Sequence, residues 1–175
     1  MDVKEALLKE QSKSQSLKIA GHIGNDPGKF SELMDLFLNG SYRITQRSAM
    51  VVNLCASKYP GLIIPYLEPV LLNLKNNVPE AVIRNTLRIL QFVELPNALD
   101  GLAADICFSF LESSKTPVAI RVFAMTILFN ICKKEPDLAN ELKILIEDQL
   151  PYSSAGFKSR GNKILREMEQ ERYKS

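Results

Sequence analysis

Arg47, Arg84 and Arg121 stand 37 residues apart, and Lys158 falls one further step along the chain. Each lies within a helical pattern of apolar residues. The clearest version runs from Asn77 to Phe92, where Glu80, Arg84, Arg88 and Gln91 form a polar stripe opposite Val82, Ile83, Leu87 and Leu90. A fixed period in this range, built from helical pattern, marks stacked units that cannot bury their apolar faces alone.

Prolines punctuate the pattern. Seven of nine (27, 60, 79, 96, 117, 136 and 151) fall between apolar stripes or at their starts, where a missing N–H costs least. The reading in order gives a short helix over residues 2–11, then a polar stretch from Lys9 to Ser16. A second apolar set follows at Leu17, Ile19, Ala20 and Ile23. Asp26-Pro27 reads as cap and first residue of a helix ending at Asn39-Gly40. Further helices are expected over Tyr42 to Lys58, Leu62 to Lys75, Pro79 to Glu94, Asn97 to Ser113, Pro117 to Cys132 and Pro136 to Leu150, with a last one after Ser154. Pro65 and Pro69 should bend or delay the second of these. Pro117 to Cys132 is apolar nearly all round, so it must be covered on most sides. The polar end, Glu169 to Ser175, is expected to fray. No sustained two-residue alternation signals a strand. The expectation is an all-α domain over 1–175 of about five antiparallel helix pairs, near 2–24, 27–58, 61–94, 97–133 and 136–172.

These pairs resemble HEAT repeats of the armadillo-like class. The residues that carry the resemblance are Ile64-Pro65-Tyr66-Leu67 through Ile83-Arg84, then Thr116-Pro117 through Ile120-Arg121, and in part Gln46-Arg47 and Phe157-Lys158. The resemblance implies a right-handed α-α superhelix, with the first helix of each pair outside and the second lining a concave groove. It also implies a structural role for Arg47, Arg84 and Arg121, bonded to loop carbonyls and a neighbouring acidic or amide side chain.

Charge adds a functional hint. The net charge of +2 is too small for bulk attraction to nucleic acid or anionic lipid. By helix set, however, the second helices after residue 42 sum to +9 and the first helices from residue 27 to −7. We expect a non-catalytic module that binds a protein partner, acidic in character, in the groove. The contact residues expected are Arg88 and Gln91, with Arg160, Lys163 and Arg166 adding a basic end. The alternatives are nucleic-acid binding, which HEAT-like DNA glycosylases illustrate, and a purely structural scaffold. The absence of tryptophan, only five tyrosines and the lack of a dense Lys/Arg cluster before the last helix argue against nucleic acid.

Enzyme chemistry finds little purchase. The stretch Gly21 to Phe30 looks faintly like a phosphate loop, but its glycine spacing is one residue short and Phe30 replaces the metal-binding hydroxyl. His22 is the single histidine and has no partner at a motif spacing. Cys55, Cys107 and Cys132 are scattered through apolar runs, which suits reduced core thiols. Glu135, Asp137, Glu141, Glu147 and Asp148 read as a solvated face. No catalytic, cofactor or metal residue is expected, including for an enzyme of the bilin-lyase-like repeat group. Met1 to Glu5 carries acids rather than a basic leader, and the longest uncharged apolar run, Val122 to Cys132, is too short to span a bilayer, so a cytoplasmic location is expected.

Overall fold

Caps divide the first residues into two helices. The structure, a computed structural model, describes residues 1–172. Asp2 accepts from the Glu5 N–H and opens α1 (Val3–Lys9). Ser12 accepts from the Gln15 N–H and opens α2 (Lys13–Ile23), so the polar residues Lys13 to Ser16 are helical rather than linker. A capped N-terminus outweighs the missing apolar stripe there. Gly24 ends α2 at φ 57, the left-handed region that a side chain would strain. Asp26 Oδ1 then accepts from the N–H groups of Gly28 and Lys29 and opens α3 (Pro27–Asn39).

The chain divides into two compact units, Met1–Glu94 and Leu95–Ser175. In the first, α4 (Tyr42–Lys58) is the central element and packs against α1, α2, α3 and α6 (Glu80–Leu90). The proline-rich stretch makes two turns of 3-10 helix at 60–62 and 64–66 before α5 (Leu67–Asn73), which is the delayed start that Pro65 imposes. Phe30, Leu33, Phe37, Leu71 and Leu87 are almost fully buried, and Phe30 meets Tyr66 edge to face at 5.8 Å.

α6 stops at Leu90 rather than running to Glu94. The N–H groups of Phe92 and Val93 reach back only three residues, to Ile89 and Leu90, so the helix tightens as it ends. Leu95, placed before Pro96, is steered away from helical backbone.

In the second unit, α7 (Asn97–Glu112) pairs with α8 (Val118–Cys132), and α9 (Ala139–Gln149) precedes α10 (Ala155–Arg172). α8 exposes only Val118 and Ala119 and packs against α7, α9 and α10, as its all-round apolar surface requires. Phe157, Leu111, Leu128, Leu142 and Ile146 fill this core. Gly161 lies mid-helix in α10, where glycine is otherwise unfavourable. A Cβ there would stand 2.9 Å from Cγ2 of Ile146, so the glycine lets α10 approach α9. The described residues thus form ten α-helices in an all-α chain. Of the end expected to fray, Glu169 to Ser175, residues 169–172 belong to α10, and 173–175 lie outside the described residues. No helix among the described residues is long and apolar enough to cross a membrane.

Candidate functional site

The repeat-position arginines have three different environments. Arg47, on α4, donates from Nη1 to the carbonyls of Leu7 and Leu8, each at 2.9 Å. Those carbonyls belong to the last turn of α1, which has no helical partner for them. Arg121, on α8, is buried, and desolvation lowers its pKa. Its Nη2 donates to Oε1 of Gln149, while its guanidinium carbon lies 4.7 Å from the centre of the Phe157 ring. Gln149 Nε2 in turn donates to the Leu111 carbonyl at 2.9 Å, in the last turn of α7. Arg84 is exposed, and its side chain makes no hydrogen bond or ion pair among the described residues.

A fourth cation was not signalled by the repeat. Lys134 donates to the Leu95 carbonyl at 2.9 Å and to Asp100 Oδ1 at 2.7 Å. Arg47, Lys134 and Gln149 therefore each bond a carbonyl 38 to 40 residues back, about one repeat. Lys134 and Asp100 carry no motif spacing, and only the fold brings them together.

The expected contact residues separate into two groups. Arg88 on α6, with Lys163 and Arg166 on α10, is exposed, and Lys163 Nζ lies 3.9 Å from Glu167. Gln91 leaves the expected stripe: it is buried, and its Nε2 donates to the Arg88 carbonyl at 3.2 Å. The chain tightens just after it, at Phe92 and Val93, and the exposed position falls to Phe92, which is 80% accessible. Arg160 is half-buried, and its Nη1 donates to Thr126 Oγ1 on α8. Both polar groups are thus engaged within the fold.

The sequence stretches that hinted at chemistry become structural elements. The N–H groups of Gly28 and Lys29, which a phosphate would need, already bond Asp26. The His22 imidazole is held below its usual pKa, first by desolvation and then by Lys29. All three cysteines are free and buried; burial pushes Cys55 and Cys132 up to about 11 and Cys107 higher still, so none supplies a thiolate at neutral pH. Among the described residues no group of three or more His, Cys, Asp or Glu could hold a metal ion. A cleft of about 460 Å³ lies between α8, α9 and α10, walled by Phe129, Cys132, Leu165 and Met168. Lys133, Lys143, Glu169 and Glu171 also line it.

The family model for the HEAT repeat domain matches residues 3–168, which takes in both units. The chain belongs to the HEAT repeat domain family. No curated protein and no solved structure gives a significant match. HEAT repeats generally mediate protein interactions and are typically non-catalytic, and the helix pairs here have the sequence features of that family. Against the HEAT pattern, Arg47 and Arg121 keep carbonyl or amide partners, whereas the Arg84 guanidinium is left to solvent.

Proposed function

We propose that this HEAT repeat protein is a non-catalytic interaction module that holds an acidic segment of a partner protein against its second helices. The observation that carries the reading is the segregation of charge: +9 on the second helices after residue 42 against −7 on the first helices from residue 27. Arg47, Arg121 and Lys134 use their charges on internal partners, while Arg88 and Arg166 remain exposed. Exposed charge steers association and selects partners of opposite sign. Arg88 on the first unit, with Lys163 and Arg166 on the second, are the contacts proposed for the partner. Gln91 and Arg160 act through the positions of α6 and α10, and Arg47 and Arg121 serve as structural repeat arginines.

Affinity capture from the native cell, followed by amine cross-linking, tests this reading. With a carbodiimide to activate carboxylates for attack by amines, the expected cross-links join Lys158 or Lys163 to an acidic stretch of a captured protein. Mixed-sequence DNA should be released at or below physiological salt, because few phosphates could be neutralised. Tight DNA binding with a steep salt dependence, and no specific protein captured, would overturn the proposal.

A further inference from the structure

The outward side of α4 and α6, within the first unit, is basic. Val52 of α4 and Thr86, Ile89 and Leu90 of α6 meet Phe37 and Val70 in the core. At about 100° per residue, the sides opposite these carry Arg43, Met50 and Leu54 on α4, and Arg84 and Arg88 on α6. Arg43, Arg84 and Arg88 are exposed and form no side-chain hydrogen bond or ion pair among the described residues. α4 contains no acidic residue, and Glu80 is the single acid in α6. Phe92, two residues beyond the end of α6, is 80% exposed, whereas Phe30 and Phe37 of the same unit are 0% and 1% exposed. An aromatic ring beside unpaired arginines is the composition of an interface anchor, not of a solvated helix face.

We propose that Arg84, Arg88 and Phe92 form a docking line for an extended acidic segment carrying a bulky apolar side chain. The proposal rests on the interaction-module reading and names the site and the partner's chemistry. Residues four apart in α6, as Arg84 and Arg88 are, advance about 6 Å along its axis, and alternate residues of an extended chain advance about 6.6 Å. Two alternate carboxylates can therefore meet Arg84 and Arg88 while the next alternate side chain covers Phe92. Each arginine offers a carboxylate a two-pronged contact, and the acid-free α4 alongside presents no carboxylate to compete for it, Glu80 one turn before Arg84 being the one acid of α6. The motif is two acids and an apolar residue at alternate positions.

A displayed library of random twelve-residue peptides, panned against the whole protein, is the test. Wild type should enrich peptides with that alternate spacing. Synthetic copies should lose at least tenfold in affinity for Arg84→Glu/Arg88→Glu and for Phe92→Ser. Both variants should melt with wild type, because all three side chains are exposed. Enriched peptides without alternate acids, or peptides that bind the variants equally, would overturn this site and leave the broader reading intact. Failure to enrich any peptide would overturn both.

Discussion

Lys134 Nζ lies 2.6 Å from Oδ2 of Asp100, a carboxylate side chain only 3% exposed. Oδ1 receives the hydrogen bond, whereas Oδ2 has the charge beside it and no hydrogen-bond donor. The same ammonium holds the Leu95 carbonyl, so the end of α8 is tied to the entry of α7. A buried carboxylate needs its partner more than the pair contributes to stability.

Lys134→Met should therefore destabilise the protein by about 2 kcal/mol, below the usual range for buried pairs because the lysine is partly in water. Adding Asp100→Leu to that variant should restore part of the loss, since no unpaired charge then remains inside. Urea denaturation of the single and double variants decides it. A double variant less stable than Lys134→Met alone would show that the carboxylate does more than accept this cation.

Arg47 and Arg84 occupy equivalent repeat positions with different consequences. Arg47→Ala leaves two helix-end carbonyls without their donor and should cost about 1–3 kcal/mol. Arg84→Ala should stay within about 0.5 kcal/mol of wild type, as exposed sites do. Equal losses at the two positions, measured by denaturation, would contradict the environments described for them.

Glycines in two helices should respond in opposite directions. A Cβ at Gly101 meets nothing within 4 Å, so Gly101→Ala in α7 should stabilise by about 0.5–1 kcal/mol. Gly161→Ala in α10 gains the same propensity but presses on Ile146 and Leu150, and should lose about 1–3 kcal/mol net. Thermal melting of the pair checks the close approach of α10 to α9.

The thiols set a pH limit. An unfolded thiol ionises near its ordinary value of 9.0, whereas burial holds Cys55 and Cys132 protonated up to about 11 in the fold. Between those values the folded state binds more protons, so stability should fall as pH rises from about 9 towards 11. At pH 8 a thiol reagent should leave the native protein largely unmodified and label all three cysteines after denaturation. Rapid labelling of the native protein would contradict their burial.

The helices were legible because their punctuation is local. Asp26-Pro27, Gly24 and the prolines at 79, 96 and 117 act on neighbouring backbone, and the sequence displays them directly. The exposure of Arg88, Lys163 and Arg166 followed from helical position in the same way. Gln91 did not, because it is the last residue before the chain tightens at Phe92 and Val93, and its amide folds back onto the Arg88 carbonyl. Arg160 and Lys134 depend on Thr126 and Asp100, each 34 residues away, and no spacing rule links those residues. Nor does a repeat register distinguish Arg47 from Arg84; only the carbonyls of α1, packed against α4, do that.

The central claim is that exposed cations on the second helices select an acidic protein partner. Affinity capture with the intact chain, at low and high salt, tests it when repeated with Arg88→Glu/Arg166→Glu. Wild type should retain specific proteins at low salt and release them at high salt, because exposed charges are screened. The double reversal should retain none of them while melting with wild type. The same proteins bound equally by the double reversal, at either salt, would contradict the account.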